Sequence, residues 1–427
     1  MPRLVRVTVR SGESVPRVSK PVRFLARLSP PGGAVLPGGY AFDQAAYFAS
    51  IGASGFVYGD LKPVVDAGDW PEPGWRLHLG GALTDIRFAI SARIRDSLSD
   101  PATGTDSEAG GIAAALIVGD RGGVSEAAQE SLRVAGLAHV LAISGMHMAL
   151  VAGTIFFAVR AVLAASPALA LGYPIRHWAA GAALVAATVY LALSGASIAT
   201  QRAYIMAAIV FIAMLSGRRA LTMRSVAVAA LLILAASPEA LLQPGFQMSF
   251  AAVIALVAAY EAWRKRGARE TTRAGHTLWH GLRFWIAGLL VTSLIAGLAT
   301  APIAAVHFYR TAPLGLLANM AAMPLVSLVI MPAAVASVLA MPFGLDPLPL
   351  SAMGAGIDAM LAIAETVARW TPSGGLVGAV PPVVGLACVA GLLLLALLKS
   401  RWRLIGLAPI SLAAVLHFGF PPSARIF

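Results

Sequence analysis

The stretch LAHVLAISGMHMALVAGTIFFAVRAVL, from Leu137 to Leu163, carries one charged residue, Arg160. A helix needs about 20 mostly apolar residues to cross roughly 30 Å of hydrocarbon, and this run is long enough. Outward from it, similar runs stand near 179–194, 199–216, 225–241, 246–262, 285–307, 313–341, 379–398 and 404–419, while nothing ahead of residue 136 reaches that length. The chain is 58% apolar and 12% charged, with a mean hydropathy of +0.78. Ordinary soluble domains carry about twice that charged fraction. These features predict a membrane protein: an all-α polytopic helix bundle of about nine to eleven spans, preceded by a small β-rich soluble domain.

The front of the chain reads differently. Leu4 to Val9 alternates in period two, Val22 to Leu28 does so more loosely, and Gly55 to Gly59 reads as a third strand. Pro30, Pro31, Gly32 and Gly33, then Pro37, Gly38 and Gly39, mark turns around a short helix at Asp43 to Ile51. A small OB-like barrel fits residues 1–82. Residues 83–111 read as an amphipathic helix, with Ile86, Ile90, Ile94 and Leu98 on one stripe, followed by a linker from Asp100 to Gly111. Residues 112–420 then form the membrane domain, and 421–427 a tail. Just before the first span, Ser125 is placed to cap a helix running through Val134, with Glu126 in its first turn and Gly136 ending it.

Charge orients the bundle. The net charge is +12, but residues 1–110 hold 12 basic and 11 acidic side chains, so the excess lies in the membrane part. Alternate loops are basic: Arg160 and Arg176, then Arg218, Arg219 and Arg224, then Arg264, Lys265, Arg266, Arg269, Arg273 and Arg283. The intervening loops hold only Arg202 at an edge, Glu239 and Arg310. The positive-inside bias puts the basic loops in the cytoplasm and the OB-like domain outside. Keeping Lys399, Arg401 and Arg403 inside requires one extra crossing, assigned to 313–341, which Pro324 and Pro332 break into two short or discontinuous helices. Ile357 to Trp370, with Asp358, Glu365 and Arg369 opposite an apolar face, reads as an interfacial helix in which Glu365 and Arg369 stand at i, i+4. Residues 1–30 contain nothing like a signal peptide or a span, so an outward front domain implies a truncated or misassigned start.

Few residues suggest chemistry. None of the four lysines follows a glycine in a phosphate-loop pattern, so ATP hydrolysis by that route is excluded. His276 and His280 have zinc-pair spacing but lack the adjacent glutamate, and the single cysteine, Cys388, forms no thiolate cluster. Ser144 has His147 three residues on but no third, orienting group, so no catalytic constellation forms. The sequence therefore predicts no enzyme, no metal and no cofactor. Small residues recur every fourth position at Gly145, Ala149 and Gly153, and at Gly288, Thr292, Ala296, Thr300 and Ala304, which reads as tight helix packing.

Gly119-Asp120-Arg121 and the run from Gly136 to His147 resemble the entry signature of the ComEC family of competence DNA-uptake channels. Ser194-Gly195 with Gln201-Arg202-Ala203, and Pro244-Gly245-Phe246-Gln247-Met248-Ser249-Phe250, extend the resemblance. It implies a multi-pass protein of the bacterial cytoplasmic (inner) membrane that imports single-stranded DNA during natural transformation. The family also implies two partners, a cytoplasmic helicase-type ATPase and an outer DNA receptor, besides the DNA strand and membrane lipid. Relative to the family pattern, spans ahead of the OB-like domain and a C-terminal metallo-β-lactamase-like domain are absent. A small-solute transporter and a truncated remnant without transport activity are the alternatives.

A polyanion needs a wet, protein-lined path, because an ion in bare hydrocarbon is very costly. The groups expected to line it are His139, Ser144, His147, Gln201, Arg202, Gln247, Ser249 and Asn319, all in or beside apolar segments. Their competing roles are ordinary ones: satisfied interior histidines, snorkelling for Arg202, and an interhelical hydrogen bond for Asn319.

Overall fold

A computed structural model of the chain describes residues 4–9, 21–33, 41–64, 75–99, 106–217, 222–267, 278–377, 380–398 and 400–419. It divides into two compact units, Met1–Ile90 and Ser91–Phe427. In the first, β1 (Leu4–Thr8), β2 (Val22–Ser29) and β3 (Ile51–Pro63) form one sheet in the order β1-β3-β2. β1 runs parallel to β3 and β2 antiparallel to it, with Leu25 opposite Tyr58 and a register shift between Arg23 and Leu25. The three strands stand where the alternation predicts them, and α1 (Phe42–Phe48) fills the place of the expected short helix. Among the described residues the sheet has three strands, and the turn at Pro37 to Gly39 lies outside those residues.

The helix expected from Leu83 opens earlier. α2 (Trp75–Leu98) tolerates Gly80 and Gly81, although each costs about 1 kcal/mol relative to alanine, and it crosses from the first unit into the second. Only the end of its apolar stripe is covered: Ile94 is fully buried, whereas Ile86 is exposed. The expected linker also ends early, because α3 (Glu108–Val118) begins inside it, capped by Ser107, whose Oγ accepts from the Gly110 N–H at 2.9 Å. Every residue of α3 from Ala109 to Val118 is buried.

α4 (Glu126–Val134) is capped by Ser125 as predicted, with the Ala128 N–H donating to Ser125 Oγ at 3.1 Å. Next come α5 (Ala138–Leu141), α6 (Gly145–Ala164), α7 (Pro167–Gly172), α8 (Ile175–Leu193), α9 (Ile198–Leu215), α10 (Met223–Ala236), α11 (Pro244–Gly267) and α12 (Leu278–Phe308). α13 (Gly315–Leu325) and α14 (Met331–Ala340) are followed by α15 (Pro347–Trp370), α16 (Pro382–Leu397) and α17 (Leu407–Gly419). Among the described residues, seven helices are long and apolar enough to cross a membrane: α6, α8, α9, α11, α12, the continuous α13–α14 segment and α15. α10 and α16 have the same character but are shorter.

Three expectations about the spans need correction. The first span begins at Gly145 rather than Leu137, because Ala142 is extended and Ser144 starts a new helix, so His139 and His147 do not share one helix. The 313–341 segment is not two discontinuous helices. Between α13 and α14 the backbone stays helical through a π turn, Val326–Ile330. Prolines 324 and 332 each remove a backbone donor, and the wider turn absorbs the mismatch, with Ser327 Oγ donating to the Met323 carbonyl at 2.8 Å. The interfacial helix is instead the second half of α15, whose face from Leu350 through Met353, Ile357, Met360 and Ala364 to Val367 is buried against α3, α4, α13 and α14. An amphipathic face fits an interface and a bundle interior equally well; α3 supplies the interior. Arg369 donates to Thr366 Oγ1 at 3.2 Å, not to Glu365.

The glycines of the predicted small-residue seams are not points of close helix approach within the chain. A Cβ on Gly145, Gly153 or Gly288 meets nothing within 4 Å. Close approach occurs elsewhere, as where a Cβ on Gly391 would stand 2.5 Å from the Gly406 carbonyl oxygen, joining α16 to the turn before α17.

Asp346, just ahead of α15, is only 1% exposed, and Arg93 holds it with two bonds of 2.5 and 2.9 Å. Those hydrogen bonds keep the carboxyl below the usual carboxylate range. A lowered folded-state pKa contributes stability above the unfolded value, roughly 4, and that stability is lost as pH falls through the folded value. Thermal unfolding in detergent is expected to show a fall in midpoint below about pH 4 that Arg93→Ala diminishes. Arg93→Ala also lowers the midpoint at neutral pH, since it strands a buried carboxylate.

Candidate functional site

The approach to α6 is built from local backbone chemistry. α4 ends at Gly136, whose φ of +78° is the left-handed conformation that glycine adopts most readily. α5 then carries His139, exposed while its neighbours Leu137 and Val140 are buried, with Nδ1 3.0 Å from the Gly136 carbonyl oxygen. Ser144 opens α6. Its backbone N–H donates to His147 Nδ1 at 3.2 Å, and its Oγ lies 3.0 Å from the same nitrogen. Because Nδ1 accepts, the neutral ring carries its proton on Nε2. His147 is fully buried, and that Nε2 has no hydrogen-bond partner. The serine–histidine contact is thus a helix-start motif: no third group orients the ring, and the Oγ shares its acceptor with a backbone donor.

α9 starts in the same way, with Ser197 Oγ accepting from the Thr200 N–H at 3.2 Å. Gln201 is exposed and turns back, donating to the Ala196 carbonyl at 2.7 Å. Arg202 points inward: it is 7% exposed, and its Nε has no partner. Its guanidinium lies over the first turn of α11, where a Cβ on Gly245 would stand 2.9 Å from Nη2. On α11, Gln247 bridges two elements, donating to the Leu241 carbonyl at 3.0 Å and accepting from His307 Nε2 of α12 at 3.0 Å. Ser249 is half-buried in the next turn. Asn319, half-buried in α13, has a buried Oδ1 without a partner.

Direct contacts bring these helix starts to one end of the bundle. A Cβ on Gly136 would meet Ala312 Cβ at 2.7 Å and Gly315 Cα, the first residue of α13, at 3.3 Å. One on Gly119 would meet the Ser194 carbonyl oxygen at 2.6 Å, just ahead of α9, and Ile143 Cδ1 at 3.7 Å, just ahead of α6. Arg202 over Gly245 ties α9 to α11. The predicted residues therefore lie within the first two turns of α6, α9, α11 and α13 or, for His139 on α5 and Ser144, in the residues leading into α6. Helix N-termini each carry roughly half a positive charge and unbonded N–H groups.

Around this end sits a polar collar that residue-type reasoning missed. Asp120, from the Gly119-Asp120-Arg121 signature, accepts from Ser91 Oγ at 2.7 Å and from Arg95 at 2.6 Å, and its second oxygen accepts from the Gly122 N–H at 3.0 Å. Its role is to fasten the α3–α4 turn to α2. Glu130 pairs with Arg310 and, at 2.5 Å, with Arg133; Arg310 first, then Arg133, hold its carboxyl below the usual range. Beside them, a cavity of about 140 Å³ is lined by Arg121, Val124, Gln129, Arg133, Ala138, Leu141 and Ala142. Glu130 and Arg133 stand at i, i+3 on α4, a readable spacing, but the pairings of Glu130 with Arg310 and of Asp120 with Ser91 and Arg95 join residues far apart in sequence and carry no spacing signal. Among the described residues no three His, Cys, Asp or Glu side chains gather to hold a metal. His276 lies outside those residues, as does the side chain of His280.

A family model described as "Competence protein" matches residues 116–402, from within α3 to the turn before α17. The chain is similar to "ComE operon protein 3" of Bacillus subtilis (strain 168), 26% identical over 229 residues, covering 54% of this chain and 26% of that protein. It is also similar to "Competence protein ComA" of Neisseria gonorrhoeae, 28% identical over 272 residues, covering 64% of this chain and 37% of that protein. The matches thus span well under two thirds of either relative. No solved structure matches.

The contact between Gly119 and Ser194 makes a simple demand on the site. Gly119→Ala forces a left-handed alanine, about 1–2 kcal/mol, and drives its methyl into the Ser194 carbonyl. The expected result is a lower unfolding midpoint in detergent, whereas Gly145→Ala, facing open space, leaves it near wild type.

Proposed function

This chain belongs to the competence-protein family, and from that premise we propose that it forms a conduit for single-stranded DNA across the bacterial inner membrane during natural transformation. One observation carries the reading. Of four buried polar atoms without partners among the described residues, three, His147 Nε2, Arg202 Nε and Asn319 Oδ1, sit in the first two turns of three helices gathered at one end of an apolar bundle; the fourth is Arg95 Nε on α2. Polar groups inside a membrane protein usually face partners or a hydrated cavity. Here a passing strand and its water supply acceptors and donors that the protein does not.

The same end carries the positive ends of four helix dipoles, while the cations of its collar, Arg95, Arg133 and Arg310, are paired with Asp120 and Glu130. That balance suits a polyanion in transit: attraction sufficient for entry, without tight retention. Arg160 and Arg264 fall in the closing turns of α6 and α11, and Arg224 in the opening turn of α10, which follows α9, so the positive-inside bias turns the gathered N-termini outward. The strand enters there. The energy for import is assigned to a cytoplasmic helicase-type ATPase and delivery to an outer DNA receptor, partners taken from the family resemblance. No step of this reading requires the chain to break or form a covalent bond.

A strain lacking its own copy, complemented with variants, tests the reading. His147→Ala and Asn319→Ala are expected to cut transformation frequency by roughly tenfold or more at unchanged membrane abundance, the scale of a lost charge-assisted hydrogen bond. Wild-type frequency with both variants would remove these groups from the path. Restoration of small-solute uptake, without DNA uptake, by the wild-type chain would favour a solute transporter instead.

A further inference from the structure

Two charged side chains are buried among the described residues, and they differ in one respect. Asp346 has its guanidinium in Arg93; Arg202 has no carboxylate and no hydrogen-bond partner. A buried charge without a partner is costly, so a position that keeps one calls for a counter-charge from outside the chain. The surroundings define that counter-charge. Nη2 of Arg202 lies against Gly245, the second residue of α11, and the absence of a side chain there leaves the guanidinium room.

The opening of α11 adds donors. Pro244 brings none, and the Phe246 and Gln247 N–H groups both turn back to the Gln243 carbonyl oxygen, at 3.0 and 3.2 Å. That leaves the Gly245 N–H, one of the first-turn groups for which a helix has no acceptor of its own. Gly245 is exposed although Arg202 is not, so an anion reaches the guanidinium from the glycine side. A planar fork of N–H donors beside a free helix-start N–H fits two oxygens on one tetrahedral centre.

We propose that Arg202 and the N-terminus of α11 form a subsite for one phosphodiester monoanion, the guanidinium and the Gly245 N–H donating to its non-bridging oxygens. The subsite rests on the DNA-path reading for its occupant, a phosphate of the passing strand. A phospholipid headgroup offers the same chemistry. In transit the subsite acts as a single foothold, which a strand leaves as readily as it enters because no second buried guanidinium stands beside it among the described residues.

The experiment uses the purified full chain in detergent, a fluorescein-labelled oligothymidylate, its uncharged methylphosphonate counterpart, and phosphatidylglycerol read by native mass spectrometry. Arg202→Gln is expected to weaken oligothymidylate binding by roughly tenfold or more. Arg369→Gln, which removes one exposed cation, and replacement of the oligonucleotide by the methylphosphonate set the reference: the former binds as wild type, and the latter shows no dependence on Arg202. Equal binding by wild type and Arg202→Gln overturns the subsite and leaves the DNA path standing. Phosphatidylglycerol retained by wild type and lost in Arg202→Gln, with no oligonucleotide bound by either, upholds the subsite and overturns the DNA path. Neither ligand separating the two proteins overturns the subsite. Should Arg202→Gln lose its monodisperse elution peak, Gly245→Val keeps the charge but occupies the guanidinium's space; weakened binding then supports the subsite and unchanged binding overturns it.

Discussion

A charged or polar group in an apolar helix bundle must find its partner inside the protein, in water, or on a ligand. Most of this chain obeys the first option. Asp346 has Arg93, Asp120 has Ser91 and Arg95, Glu130 has Arg310 and Arg133, and the buried Tyr190 hydroxyl donates to the Leu116 carbonyl at 2.7 Å. These pairings fasten α2, α3 and α4 to the bundle. Against that background four buried atoms have no partner among the described residues; those of His147, Arg202 and Asn319 lie at one end, and the fourth is Nε of Arg95, whose Nη2 is bonded to Asp120.

The architecture explains how so apolar a chain gathers polar groups there. α3 is buried along its whole length and α15 packs around it, so the bundle's interior is filled by protein contacts that leave little polar character. Polarity is concentrated where helices begin. Caps at Ser125, Ser144 and Ser197, left-handed glycines at 119, 136 and 195, and the glycine at 245 all belong to these junctions. They let helix starts approach one another closely, and every such start presents N–H groups with a positive potential.

Much of this was legible in sequence where the physics is local. The cap at Ser125, the strands at Leu4 and Val22, and the apolar length of α6, α8 and α9 follow from residues a few positions apart. The misread features depend on distant partners. The stripe on α15 is the same whether lipid or α3 covers it, and the glycine seam of α6 has helix-packing spacing although nothing lies against it. Of the candidate site, all eight residues were nameable as polar groups beside spans. Their grouping was not, because Arg202 meets Gly245, Gly136 meets Gly315 and His307 meets Gln247 only after folding. His307 itself, a lone histidine at the end of α12, has no spacing signal at all.

Solvent access at the gathered helix starts, and its blockage by a strand, tests the central claim most directly. In a Cys388→Ser background, single cysteines at positions 249 and 319 would be treated in intact cells with a membrane-impermeant thiol reagent, with and without DNA in transit. The account predicts labelling from the outside at both positions and protection while a strand is held in passage. Labelling only after the cytoplasmic face is opened, or labelling indifferent to DNA, would contradict it.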